Sequence, residues 1–268
     1  MQLIRQQIPL LAIVLCLTML SWLALLWLIT DSCHPLAMMT MPMSPAWSAG
    51  NLIAVFAMWV VMMAAMMLPS AIPMILLHSK MSPKSGLNVE NLAFILSYLI
   101  IWTLFSMAAV TFQFITHTYG ILNAASLTTS KIVSIILLVL AGGYQFTELK
   151  NTCLKKCRTP VGFFMGYWKT GVTGAFNMGL RHGWFCLGCC WAIMLLLFVG
   201  GVMNLTWVLL LTIAVVAEKT FPAGEAISKV IGIGLILGAL YIGYTLVSPQ
   251  TMSSMQSMSM DCMKPMKM

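Results

Sequence analysis

MWVVMMAAMMLPSAIPM, residues 58–74, holds six methionines and two prolines in an apolar run without a charge. With its apolar flanks it extends over residues 48–77, more than the roughly 20 residues that cross the hydrocarbon of a bilayer. The chain around it has the same character. Of 268 residues, 60% are hydrophobic and 7% charged, whereas a soluble domain carries about 25% charged residues. Such a chain cannot clothe a water-facing surface, so it reads as an all-α integral membrane protein. Seven segments are long and apolar enough to span: 8–29, 48–77, 91–116, 131–148, 183–203, 205–221 and 226–247. The first has Arg5 as a basic flank, as a signal peptide would. Its apolar stretch is too long for one and no small-x-small cleavage pattern follows, so it reads as a retained helix.

A net charge of +8 in a soluble protein would suggest nucleic acid. Here the placement of the charge points to the bilayer and to no nucleic-acid partner. With the N-terminus inside, the inner segments hold Arg5, Lys80, Lys84, Lys150, Lys155, Lys156, Arg158, Lys169, Arg181, Lys219 and Lys229, and the outer ones only Lys131, Lys264 and Lys267. That bias is the positive-inside pattern. It predicts a multi-pass domain over residues 1–248 with its C-terminus outside. Residues 249–268 follow as a disordered tail, too rich in Ser, Gln and Lys to pack. Residues 160–181, which mix aromatics and glycines, are expected at the inner interface as a short amphipathic helix or a re-entrant piece.

That topology sorts the methionines. Seventeen of 25 fall in three places. The outer loop has Met38, Met39, Met41 and Met43; the second span has Met58, Met62, Met63, Met66, Met67 and Met74; the tail has Met252, Met255, Met258, Met260, Met263, Met266 and Met268. Loop and tail were placed on one side by charge alone. A thioether has no proton to lose, and thioether and thiolate ligands select Cu(I) over hard cations; Ag(I) and Zn(II) are the other candidates. Methionine also serves as adaptable packing, but an unpacked tail has no core to fill. Cys33, His34 and Cys262 add ligands on the same side, unless the two cysteines form a disulfide in that oxidising compartment. In the second span the six methionines share half of the helical circumference. Pro69 and Pro73 interrupt its hydrogen-bond ladder. It therefore reads as a kinked helix with a sulfur-lined face turned to the bundle interior, against the plainer alternative of a packing surface.

Two cysteine groups follow. In RHGWFCLGCCW, His182, Cys186, Cys189 and Cys190 stand at i, i+4, i+7 and i+8 and share one helical face. Three thiols and an imidazole suit Cu(I) or Zn(II); the competing reading is a stripe of small residues for close helix packing. One helix cannot surround an ion, so Met62, Met66 and Met67 are expected to face Cys186, Cys189 and Cys190 in the inner half of the bilayer. The arrangement requires the two helices to be neighbours. In ELKNTCLKKCR, Cys153 and Cys157 lie among Lys155, Lys156 and Arg158, which raise thiol reactivity; they read as a metal relay one step further inward or as a redox pair. Glu218 and Lys219 read as a local ion pair.

YQFTELKNTCLKKCRTP, GLRHGWFCLGCCWAIMLLLFVGGVMNLTWV and EKTFPAGE, with the opening stretch, resemble the bacterial predicted metal-binding integral membrane proteins. That is a family of unassigned function associated with copper-chaperone-like proteins serving tyrosinase-type copper oxidases. The resemblance covers residues 45–245. It implies a bacterial cytoplasmic membrane, copper handling and a client copper oxidase, with Met58, Met62, Met66, Cys153, Cys157, His182, Cys186, Cys189 and Cys190 as the residues concerned. Family members show a proline after the position of Thr147, where this chain has Glu148. The expectation is therefore a non-enzymatic copper(I) chaperone or conduit. No ATP-binding motif is present, so any transport is passive or ion-coupled. A transmembrane thiol–disulfide oxidoreductase would explain the cysteines but not the clustered methionines, and a metal-free assembly subunit explains neither.

Overall fold

The computed structural model describes residues 2–31, 34–41, 47–82, 86–120 and 128–247. Every regular element among them is a helix: α1 Gln2–Thr30, α2 Pro35–Thr40, α3 Ala49–Met81, α4 Val89–Thr118, α5 Lys131–Tyr144, α6 Glu148–Arg158, α7 Pro160–Tyr167, α8 Gly171–Leu195, α9 Leu197–Gly200, α10 Leu205–Thr220 and α11 Gly224–Val247. Among the described residues, five helices are long and apolar enough to cross a membrane. Their apolar spans begin at Gln7, Ala49, Val89, Gly171 and Gly224. A sixth is added if α5 and α6, bent by 65°, are one broken span. The seven spans expected from the sequence are therefore five or six. Two local causes account for the difference. The helix of segment 131–148 stops at Tyr144, and Thr147 caps a new helix by accepting from the Lys150 N–H at 3.3 Å. α10 has 16 residues and covers about 24 Å, short of the ~30 Å hydrocarbon core.

α3 starts at a capping box: Ser48 Oγ accepts from the Asn51 N–H at 3.2 Å and Asn51 Oδ1 accepts from the Ser48 N–H at 3.1 Å. It then runs unbroken for 33 residues through Pro69 and Pro73. Extra donors converge on the turn before the first proline, where Ser70 Oγ (2.9 Å) and Tyr98 Oη (3.1 Å) both donate to the Met67 carbonyl. Backbone at membrane depth needs such partners, since no water supplies them.

The segment expected at the inner interface divides differently. Residues 160–167 form the short α7, but 171–181 are the first turns of α8. Gly171 sits at φ 81°, the left-handed region that glycine enters without penalty, and so sets the start of α8. The glycines that obscured this segment serve packing. A Cβ at Gly179 would lie 2.0 Å from Ser97 Oγ and 2.3 Å from the Phe94 carbonyl oxygen, and one at Gly183 would lie 2.8 Å from Ile101. Small residues four apart let two helix backbones approach closely, and here they seat α8 on α4. α3 packs mainly on α1 and α4, α6 on α8, and α11 on α5. The core lies where α3, α4, α6, α8 and α10 converge. Outward-facing Ile213, Val230, Leu237 and Leu240 are exposed and apolar, as a lipid-facing surface requires.

Candidate metal centre

The cysteine stripe of α8 lies at mid-helix, and Cys186, Cys189 and Cys190 are each 1% exposed. Their partner is α6. Cys157 Sγ stands 4.0 Å from Cys189 Sγ, and a Cβ at Gly188 would come within 2.8 Å of Cys153 Sγ. Gly188 is thus the gap through which α6 brings its thiols to α8. Two sulfurs each about 2.3 Å from a shared metal are about 3.8 Å apart in a tetrahedral site and about 4.6 Å apart on a linear one. The observed separation falls between these values. Cys157 therefore stands in the thiol cluster itself, with Cys153 beside it against Gly188. Within α8, Cys189 and Cys190 donate to the Cys186 carbonyl at 3.1 and 2.9 Å. Among the described residues, no three His, Cys, Asp or Glu side chains are set around one ion position.

α6 is fixed against the bundle by buried polar contacts. Lys150, wholly buried, donates to both oxygens of Glu218 on α10 at 2.9 and 2.8 Å and also to Gln145. Ser228 on α11 donates to Gln145 Oε1 at 2.8 Å. Tyr144 Oη donates to the Gly188 carbonyl at 2.5 Å. At the far end, Arg158 donates to the Phe221 and Pro222 carbonyls.

This network corrects one expectation. Glu218 and Lys219 are not each other's partner. Glu218 pairs with Lys150. Lys219, one residue later and so turned about 100° around the helix, points at Cys186 Sγ (2.9 Å) and Ser70 Oγ (3.2 Å). Tyr98 of α4 reaches the same sulfur at 3.1 Å while holding the Met67 carbonyl.

Met58, Met62, Met63, Met66, Met67 and Met74 are all buried, in one core with the α8 cysteines. Met67 and Ser70 are level with Cys186, since one Tyr98 hydroxyl and one Lys219 ammonium span the gap. The expected direct face-to-face packing of this helix on α8 is nevertheless not the principal arrangement. α8 packs chiefly on α4 and α6. The cause is the Gly179 and Gly183 notch, which seats α4 there, so that Tyr98 and Lys219 stand between methionines and thiols.

His182 is buried one turn below Cys186, with its ring stacked near Tyr98 (centroids 5.3 Å) and Phe94 (6.0 Å). Neither ring nitrogen has a hydrogen-bond partner among the described residues. Burying an unpaired polar group costs about 1–3 kcal/mol, so an available imidazole is kept here at a cost in stability.

Met38 and Met39 of α2 are exposed, while Met41 at its C-cap is half-buried against the core. His34 caps α2 by accepting from the Leu36 N–H at 3.3 Å. Cys33, Met43, Met255, Met258, Met260 and Cys262 lie outside the described residues. Nothing in the sequence pointed to Tyr98 or Ser70, and Lys219 read there as the partner of Glu218. Lys219 carried a usable signal, because an ionisable residue in an apolar span is a site candidate by default; its place beside Glu218 concealed it.

A family model described as PpoB2: Copper chaperone matches residues 56–242, which include every thiol of this cluster. No curated protein and no solved structure matches the chain.

Proposed function

We propose the following role for this chain, which belongs to the PpoB2 copper chaperone family: it carries Cu(I) as cargo on the thiols where α6 meets α8, and delivers it to an extracytoplasmic copper oxidase from a bacterial cytoplasmic membrane. The family is one of chaperones, not enzymes. The single observation that carries the reading is the buried Cys157–Cys189 pair at 4.0 Å. Two thiolates suit a soft monovalent ion, and the enclosing apolar walls exclude water and oxidant. Cys186 and Cys190 lie within the same turn for exchange of ligands, and His182 offers a nitrogen free of any competing hydrogen bond among the described residues.

The buried methionines of α3 would give the ion a route of neutral sulfur from the outer side to the level of Met67, where Tyr98 and Lys219 stand between it and the thiols. A bare charge at that depth is costly; an ion passed between thioethers keeps its ligands throughout. Met38, Met41 and Met43 in the loop, and Met255, Met258, Met260 and Cys262 in the tail, would collect or release the ion on the outer side. This orientation places the N-terminus inside and the tail outside, following the lysine and arginine distribution. Ag(I) would follow the same ligands, and Zn(II) less well.

A 4.0 Å thiol pair is also what a thiol–disulfide oxidoreductase would present, but that reading leaves the buried methionine column without a role. The test is metal content. The purified protein should hold Cu(I), Cys157→Ser with Cys189→Ser should lose the intramembrane ion, and removal of the tail should lower the copper load without abolishing it. Unchanged copper in the double variant would refute the assignment.

A further inference from the structure

Lys219 is 8% exposed, and among the described residues no carboxylate lies within ion-pairing distance of it; the ion pairs there are Lys150–Glu218 and Lys155–Glu225. An ammonium without an anionic partner is among the costliest groups to bury. The neighbouring Lys150 shows how this fold treats a cation whose role is structural: it is given a carboxylate. Lys219 instead donates to Cys186 Sγ at 2.9 Å and to Ser70 Oγ at 3.2 Å. Its surroundings otherwise hold Tyr98, which reaches the same sulfur, Cys189, Cys190 and His182 of α8, and Glu218, whose carboxylate is turned to Lys150.

We propose that Lys219 is the fixed counter-cation of the thiol site and makes it selective for monovalent over divalent metal. The inference rests on the reading that these thiols bind metal, and it adds the charge of the ion they accept. With two thiolates in the whole cluster and Cys186, the sulfur that Lys219 touches, kept as a thiol, a monovalent ion leaves one negative charge, which the Lys219 ammonium cancels. A divalent ion on two thiolates is already neutral, so the same ammonium leaves it with one uncompensated positive charge. In a medium where water cannot screen, the neutral assembly is favoured. Thioether and thiolate softness alone excludes Ca(II) and Mg(II) but leaves Zn(II) as a competitor; the lysine supplies the discrimination that the sulfurs lack.

The test compares binding of Ag(I), a redox-stable monovalent probe, with that of Zn(II), in the purified full chain in lipid nanodiscs. Lys219→Met removes the charge at similar volume, Lys219→Arg retains it, and Lys219→Gln is a second neutral variant should K219M fail to accumulate. The neutral variants should shift the Ag(I)/Zn(II) preference toward zinc by about tenfold or more, while K219R stays near wild type. A merely structural lysine would weaken both metals together and leave the ratio unchanged. An unchanged ratio in the neutral variants, with ion binding still lost in Cys157→Ser/Cys189→Ser, overturns the inference alone. Ion binding that survives the cysteine substitutions overturns the site and the inference together.

Discussion

Glu218→Gln removes the carboxylate that Lys150 holds at 2.8 and 2.9 Å, with the two side chains 1% and 0% exposed. Breaking a buried pair from one side leaves an uncompensated charge and costs about 3–5 kcal/mol. Gln145 remains a partner of Lys150, so the lower end of that range is expected, near 3 kcal/mol. Replacing both members, Lys150→Met with Glu218→Leu, removes both desolvation costs and should recover most of the loss. The exposed pair Lys155–Glu225, at 3.4 Å with side chains 64% and 42% exposed, is the internal control; removing it should cost about 0–1 kcal/mol. The assay is reversible unfolding in mixed detergent micelles, with wild type, Glu218→Gln, the double replacement and the surface control compared. The functional consequence is specific, because Lys150 is on the helix that carries Cys153 and Cys157. Glu218→Gln should therefore weaken intramembrane copper binding, and the double replacement should restore it in part. A loss below 1 kcal/mol for Glu218→Gln, matching the surface control, would refute the argument that this pair fixes α6.

Other outcomes follow from the same geometry. Gly179→Ala should destabilise the fold by about 1–3 kcal/mol or more, because its Cβ meets the Phe94 backbone oxygen at 2.3 Å; Gly143→Ala, which meets nothing within 4 Å, should be neutral or slightly stabilising. Replacing the tail methionines by leucine should lower the number of Cu(I) ions bound per chain while far-UV circular dichroism of the helices stays unchanged. Membrane-impermeant labelling of single reporter cysteines should find positions 40 and 260 outside and position 155 inside; a C-terminus found inside would separate loop from tail and remove the outer collecting surface.

Much of the helical content was legible because apolar runs of span length admit few other structures in a bilayer. Each of the seven segments contains a helix. What composition could not show was where a run is interrupted for a local reason. The break after Tyr144 depends on Thr147 capping a new helix, and the start of α8 depends on one glycine at positive φ. The candidate thiols were legible from spacing, since His182, Cys186, Cys189 and Cys190 can only share a face. Their partners were not. Matching depth suggested that α3 would meet them, but the Gly179–Gly183 notch decides which helix approaches α8, and it admits α4. The α6 thiols were set one step away because their basic neighbours suggested an interfacial loop; the buried Lys150–Glu218 pair, invisible in one dimension, turns them inward. Lys219 was hidden by its neighbour Glu218, since adjacent opposite charges look like a pair although helical geometry points them apart.

X-ray absorption at the copper edge of the Cu(I)-loaded, tail-deleted protein, read with and without Cys157 and Cys189, measures directly whether Cu(I) lies between them. The prediction is a sulfur-dominated first shell in the wild-type membrane domain and loss of bound copper in Cys157→Ser/Cys189→Ser, with both proteins recovered equally from the membrane. A shell of nitrogen and oxygen only, or the same sulfur shell after both cysteines are replaced, would contradict it.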